Sequence, residues 1–379
     1  TKSTVFAIDS INTTEVDDAI ALSEDGWINI YIADPAKFIN PHSEIDVKAR
    51  SLVSSIYLVK GHIPMLPDTI NSAASLQPGH TNNAVVFSVK LSSDGDILDY
   101  KIELEENAHV ERLTYEQSED LIGTDHVLSR LHEILSKHRD FRRSKGMLEF
   151  SLDRPSISIK NDDIQVSYDN PEMQSKKMVA EAMVLAGRVA ALHARDRNIP
   201  MPFRYHLRPE EDLKEPDSLP NILQNLTKLR SSAIDVSARP HFAMGVNEYV
   251  KITSPLRRYL DLLCMHQIKA SLYRQPPPYS LEYLKCILPT IYNGELYLKR
   301  LQRADLGYYL LIHIKRLIDE HGSVDTDAIY IGDFKYYLIK FRHVFQCESS
   351  SDPEPFDLIQ VKISRVNVYQ QILNVHVGL

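Results

Sequence analysis

Short apolar runs over residues 5–8 and 19–22 predict strands. Residues 27–33 predict a third, with Ile28, Ile30 and Ile32 alternating with other positions. Residues 84–91 and 97–104 flank Ser93-Asp94-Gly95, a hairpin signal. From Thr114 the period lengthens: Thr114 with Gln117 three residues on fits a capping box, and the stretch through Lys145 reads as helix. Strands return over residues 147–152 and over 157–166 across Asn161-Asp162. A long helix follows, with Asn170 as its cap, Pro171 in its first turn, and Met178, Ala182, Leu185, Val189 and Leu192 along one side. Proline-rich residues 199–209 and 276–279 read as loops inside the body, between and before helical blocks at 254–273 and 281–320. After Gly322, short β segments at 328–331, 336–341, 358–363 and 372–377 suit a small β-barrel. The pattern therefore predicts an α+β fold with a mixed-sheet body over residues 1–322 and a barrel over 323–379.

The composition, 43% hydrophobic and 25% charged over 379 residues, is that of an ordinary globular chain. No apolar run approaches the roughly 18 residues needed to cross a bilayer, so no membrane role is expected. Three widely spaced cysteines, Cys264, Cys286 and Cys347, suggest buried free thiols in a reducing compartment rather than a disulfide framework. A formal charge of −8 excludes coating of nucleic acid by bulk charge, so a polyanion must meet a local basic groove. The chain opens at Thr1 without a methionine, which predicts further residues upstream.

Two features carry candidate chemistry. Asp9, Glu15, Asp17 and Asp18 fall together directly after the first strand. Clustered carboxylates are either a solvated acidic turn or a site neutralised by a hard cation, for which oxygen ligands favour Mg²⁺ or Mn²⁺. Further on, Ser254 can cap a helix whose first residue is Pro255, placing Arg257 and Arg258 in its first turn. Arginines there oppose the helix dipole unless an anion shares the site. The plainer alternative is that both pair with nearby acids. Together the two features suggest metal-dependent chemistry at a phosphate.

The strings Ala7-Ile8-Asp9 through Asp17-Asp18-Ala19-Ile20, Tyr31-Ile32-Ala33-Asp34-Pro35, Ile63-Pro64-Met65-Leu66-Pro67, Val179-Ala180-Glu181-Ala182-Met183 and Tyr249 through Asp261 resemble, in order, successive blocks of the ribonuclease II/R (RNB) family. The tail resembles the OB-type RNA-binding domain that ends such enzymes. The resemblance implies a Mg²⁺-dependent (or Mn²⁺-dependent) hydrolytic 3′→5′ exoribonuclease that degrades single-stranded RNA to 5′-mononucleotides, in a cytoplasmic or organellar (chloroplast or mitochondrial) compartment. It implies that Asp9, Glu15, Asp17 and Asp18 hold metal and that Asp18 is essential for cleavage but not for binding. Arg257 would contact the scissile phosphate, with Arg258 a neighbouring contact. Glu15 stands where the family commonly has Asp and is one methylene longer.

Tyr57 and Phe150 resemble the aromatic pair that clamps the 3′-terminal bases, a sequence-blind interaction. Tyr115 and Glu181 resemble the residues that sense the terminal ribose, where the 2′-hydroxyl distinguishes RNA from DNA. Glu181 lies at the edge of an apolar stripe and needs a partner, for which Lys177 is the local choice. Lys137, Arg139, Arg142, Arg143 and Lys145 form a basic run that either lines an RNA path or is a solvated helix face. Two other readings stand beside the exonuclease: a catalytically impaired RNA-binding or scaffold protein on the same fold, and a metal nuclease acting on DNA.

Overall fold

In the computed structural model, which describes residues 4–150, 152–161, 163–349, 351 and 353–378, the early apolar runs become strands β1 (Val5–Asp9), β2 (Asp18–Leu22) and β3 (Ile28–Ala33). Helix α1 (Glu44–Leu52), strands β4 (Ile56–Leu58) and β5 (Gly61–Ile63), and helix α2 (Asp68–Ala74) follow. Strands β6 (Asn82–Leu91) and β7 (Ile97–Ala108) form the expected hairpin, and β8 (Val110–Thr114) comes next. These make a six-stranded sheet in the order β7-β6-β3-β2-β1-β8, antiparallel except for the parallel pair β1 and β8.

Both faces of the sheet are covered over β1, β2, β3 and β6, which is why these strands read as apolar runs. Val5, Ala7, Ala19, Ala21 and Ala33 join one core cluster, whereas Phe6, Ile8, Ile20, Ile30 and Ile32 join another on the opposite face. At the β6–β7 turn, Gly95 has φ +89°, and a Cβ there would lie 2.3 Å from the carbonyl oxygen of Lys137. The turn therefore sits directly on the backbone of a helix, and only glycine fits.

The expected single helical stretch after Thr114 is two helices, α3 (Tyr115–Leu121) and α4 (His126–Ser144). Thr114 and Gln117 form the capping box, and Asp125 starts the second helix by accepting from the Leu128 amide at 2.8 Å. The strand expected over 147–152 does not form among the described residues, and Ser151 lies outside them. The amides of Met147 and Leu148 donate instead to the carbonyls of Arg142 and Ala243, both at 3.0 Å. Strands β9 (Pro155–Lys160) and β10 (Asp163–Tyr168) pair as the next hairpin; Asp162, named in the expected turn, lies outside the described residues.

Helix α5 (Gln174–Asp196) begins later than Asn170 and Pro171 suggest. Its first amides are capped from a distance: the Glu119 carboxylate of α3 accepts from Gln174 at 3.0 Å and Ser175 at 2.7 Å. Short elements β11 (Phe203–Tyr205), α6 (Leu219–Lys228) and β12 (Ala233–Asp235) lead to α7 (Tyr259–Leu272) and the long α8 (Leu281–His321). The tail strands β13 (Val324–Gly332), β14 (Lys335–Leu338), β15 (His343–Ser349), β16 (Leu358–Asn367) and β17 (Ile372–Val377) close in the order β13-β14-β15-β17-β16, the five-stranded barrel of OB type. Strand β15 was not foreseen, although its Phe345 and Cys347 belong to the barrel core. Leu310, Leu311 and Ile314 of α8 join that same core, so the long helix carries the barrel. Cys264 and Cys347 are buried as expected, but Cys286 is exposed. Among the described residues no helix is long and apolar enough to cross a membrane.

Candidate active site

Antiparallel pairing puts the end of β1, Asp9, at the same end of the sheet as the start of β2, Asp18. The loop between them is pinned. Asp9 accepts from the Ser10 amide at 2.7 Å and the Thr13 hydroxyl at 2.9 Å, while Arg112 donates to the Thr13 carbonyl at 2.6 Å. Val16 is buried, and its amide donates to the Ser75 hydroxyl at 2.9 Å. This anchoring turns Asp17 inward and leaves Asp18 half-buried at the strand end.

Asp17 meets the second sequence feature, 240 residues further along. It accepts from the Leu256 amide at 2.9 Å and from Arg257 Nε at 2.8 Å. Burial pushes the Asp17 carboxyl up to about 6, against the pull of Arg257. Asp18 is pushed up to about 7, first by burial and then by the negative charges of Asp17 and Asp9. Among the described residues no three His, Cys, Asp or Glu side chains are grouped at metal-ligating spacing. The donor chemistry nevertheless fits: Asp9, Asp17 and Asp18 are oxygen donors close enough to repel one another, which suits a hard divalent cation.

The helix expected to start at Pro255 starts at Tyr259, so Arg257 and Arg258 precede it rather than occupying its first turn. Residues 255–257 form a turn, in which the Arg258 amide donates to the Ser254 carbonyl at 3.0 Å, and Arg258 itself is extended and bridged to a distant segment. Ser55 donates to the Arg257 carbonyl and Tyr259 donates to the Val53 carbonyl, both at 2.9 Å, and Ser54 bridges Arg258. Ser254 does not cap with its side chain; its amide donates to Asp261 at 2.9 Å. Arg258 also binds Asp261, at 2.6 Å, so both arginines do pair with acids. The Arg257 side chain remains 42% exposed while it does so.

Glu15 departs from the set. It is buried and accepts from Ser55 Oγ at 3.0 Å, Asn71 Nδ2 at 3.2 Å and the Tyr57 hydroxyl, with His62 Nε2 at 3.3 Å. Tyr57 and His62 face each other across the β4–β5 hairpin, their rings stacked with centroids 4.7 Å apart and planes within 8°. Ser55, His62 and Asn71 were missed by sequence reasoning; the only signal was the pair of short apolar runs around Lys60-Gly61.

Phe150 stands elsewhere, and among the described residues no ring contact joins it to Tyr57. It lines a groove of about 920 Å³ together with Arg139, Arg143, Lys176, Glu181 and Arg342. A second hollow of about 530 Å³, lined by Ser10 and Tyr115, shares Arg154, Asp169 and Lys176 with that groove. The shared wall connects the Glu181 region to the loop that follows Asp9. Lys176 lies over the Tyr115 ring at 5.5 Å.

Glu181 is partnered by Arg142, through Nε at 2.7 Å and a terminal nitrogen at 2.5 Å, and by His138 Nδ1. Lys177 turns instead to Glu172. Burial would raise the Glu181 carboxyl, but the bonds from Arg142 and His138 win and bring it down to about 2. Burial keeps His138 neutral, its pKa lowered, so its Nε2 can accept from Arg188 at 2.8 Å. The rest of the basic run is largely neutralised: Lys137 binds Glu133, and Arg139 and Arg143 share Glu149.

The RNB domain family matches residues 1–274. A ribonuclease of Synechocystis is 30% identical over 333 residues, covering 83% of this chain and 49% of the relative. The chloroplastic/mitochondrial ribonuclease II of Arabidopsis thaliana is 30% identical over 392 residues, covering 96% of this chain and 48% of the relative. The solved structure of Mycoplasma genitalium RNase R in complex with ribose methylated single-stranded RNA superposes with a TM-score of 0.86 at 19% identity, over 100% of this chain and 71% of that one. This fold, and a sheet end that brings paired aspartates to an arginine, define an RNB-type domain. The chain belongs to the RNB family. It spans about half the length of these two relatives.

Proposed function

We propose that this chain is the catalytic part of a hydrolytic exoribonuclease that degrades single-stranded RNA from the 3′ end to 5′-mononucleotides. The observation that carries the reading is the meeting of Asp17 with Arg257 beside Asp18, acid and phosphate-binding base brought together from opposite ends of the body. Asp9, Asp17 and Asp18 would hold Mg²⁺, or Mn²⁺, which supplies Lewis-acid activation of water and neutralises the phosphodiester. Asp18 orients the attacking water. Arg257 stays charged, its pKa raised by Asp17 against the cost of burial, and its exposed part is available to the charge that develops on the phosphate. Arg258, tied to Asp261, keeps the segment in register.

Along the connected hollows, Phe150 would stack on a base, Tyr115 would sit near the reacting end, and Glu181 would accept from a ribose 2′-hydroxyl. Tyr57 would stack on a base on the other side of Arg257. The barrel over residues 323–379 is proposed as an RNA-binding domain appended to the body of residues 1–322, in a cytoplasmic or organellar setting. The test is incubation with 5′-labelled single-stranded RNA, with Mg²⁺ and then with EDTA. Mononucleotide release that EDTA stops supports the reading. Tight binding without release supports the scaffold alternative, and equal digestion of a deoxy oligomer supports a DNA nuclease.

A further inference from the structure

We propose that Glu15 is a positioning residue rather than a metal ligand, and that it holds Tyr57 and His62 as a two-ring platform on which an RNA base stacks. This rests on the RNA-binding reading above.

A carboxylate has about four acceptor directions. Glu15 accepts hydrogen bonds from Ser55, Asn71 and Tyr57 and lies 3.3 Å from His62 Nε2. Two of those partners are themselves fixed. The Ser55 hydroxyl accepts from the Met65 amide at 2.9 Å, and Asn71 also donates to the Leu66 carbonyl at 3.3 Å. A cation at Glu15 would have to compete with these contacts. The other two partners are ring edges. Tyr57 and His62 are cross-strand neighbours on a short hairpin, and each reaches the same carboxylate with its polar atom. A common tether holds both rings parallel and removes rotational freedom that binding would otherwise have to quench.

The hairpin is itself pinned, since the Val59 amide donates to Asp305 of α8 at 2.7 Å. Tyr57 keeps 46% of its surface exposed, and the His62 side chain keeps 32%. The stack therefore presents open aromatic surface within the electrostatic reach of Arg257 and Asp17. A base laid on it would bring its phosphate towards Arg257. Side-chain length matters here. Aspartate would place the carboxylate about 1.5 Å short, one C–C bond, of the ring edges it now tethers.

The experiment has two arms. Single-stranded RNA binding is measured by fluorescence anisotropy in EDTA, where no cleavage occurs. Mn²⁺ binding is measured directly by electron paramagnetic resonance without RNA. His62→Ala weakens RNA binding between about 5- and 150-fold, the range of one lost base–aromatic stack, and His62→Phe restores most of it. Glu15→Asp weakens RNA binding in the same direction, and Glu15→Gln leaves Mn²⁺ affinity within about twofold of the parent, since removing a non-ligand changes little. Unchanged RNA binding by His62→Ala, beside a parent protein that binds, overturns the platform alone. A loss of Mn²⁺ affinity of about tenfold or more in Glu15→Gln, with RNA binding in EDTA intact, makes Glu15 a ligand after all. A parent protein that binds no RNA removes the functional reading, and the platform with it.

Discussion

Two settings for carboxylates withdrawn from solvent in this molecule resolve in opposite directions. Asp17 and Asp18 are pushed up to about 6 and about 7, while Glu181 is brought down to about 2. Burial acts in the same direction on all three, so burial does not distinguish them. The supply of donors does. Glu181 has a two-pronged arginine and a histidine N–H to itself, whereas Asp17 takes one arginine and Asp18 faces two like charges. The charge of the first setting is balanced within the protein. In the second, the fold leaves carboxylates without enough donors, the excess that the proposed cation would relieve.

The largest effect expected from breaking this contrast is at Asp18. Asp18→Asn removes the least compensated charge while keeping the shape. Cleavage of single-stranded RNA falls on the order of 10⁴-fold, as for other single catalytic-group removals, while binding in EDTA persists and thermal stability in the absence of divalent ions does not fall. Loss of binding alongside cleavage would mean that Asp18 supports the architecture as Glu181 does.

The next largest effect belongs to the completed setting. Arg142→Ala leaves the Glu181 carboxylate buried without its main partner and costs about 3–5 kcal/mol in a denaturant titration. Adding Glu181→Leu to Arg142→Ala recovers most of that loss, because no charge then remains to be buried.

Acid titration sharpens the same comparison. The folded-state pKa of Glu181, about 2, lies below its ordinary 4.5. Its contribution is therefore present above pH 4.5 and is lost as pH falls towards 2. The shift corresponds to roughly 3 kcal/mol. Glu181→Gln lacks this term, so its stability declines less steeply than the parent's through that window. Parallel curves for the two proteins would show that Arg142 and His138 do not hold the carboxylate ionised.

Strands β1, β2, β3 and β6 were legible because they are buried on both faces and read as apolar runs, and β7 by the turn before it, whereas β8 was not read. Asp9 was legible because it ends such a run. What was not legible depends on bonds between distant residues. Local signals place a helix start at Ser254-Pro255, but residues 255–257 close only a turn, and the bridge to residues 53–55 holds Arg258 extended, so the helix waits until Tyr259. Asn170 and Pro171 mark a helix start equally well by composition, yet Glu119 captures the amides of Gln174 and Ser175 and fixes the start there. Lys177 was the neighbour on the helix surface, but Arg142 and His138 reach Glu181 from an adjacent helix. In each case a partner far along the chain outweighs a local preference worth only a few tenths of a kcal/mol to about 1 kcal/mol.

The smallest effect separates the two sides of α4, which the basic run treats as one. Arg143 lines the groove beside Phe150 and Glu181, with its side chain 48% exposed. Lys137 is absent from that lining and pairs with Glu133 one turn earlier on an exposed surface. If RNA follows the groove, Arg143→Ala removes about one phosphate contact and lowers the salt slope of RNA binding by about 0.7, the value for a single strand. Lys137→Ala leaves that slope unchanged and alters stability by less than about 0.5 kcal/mol, as expected of an exposed helical pair. Equal slopes in the two variants would show that the run attracts RNA as a diffuse charged face, and the groove would lose its claim to be the path.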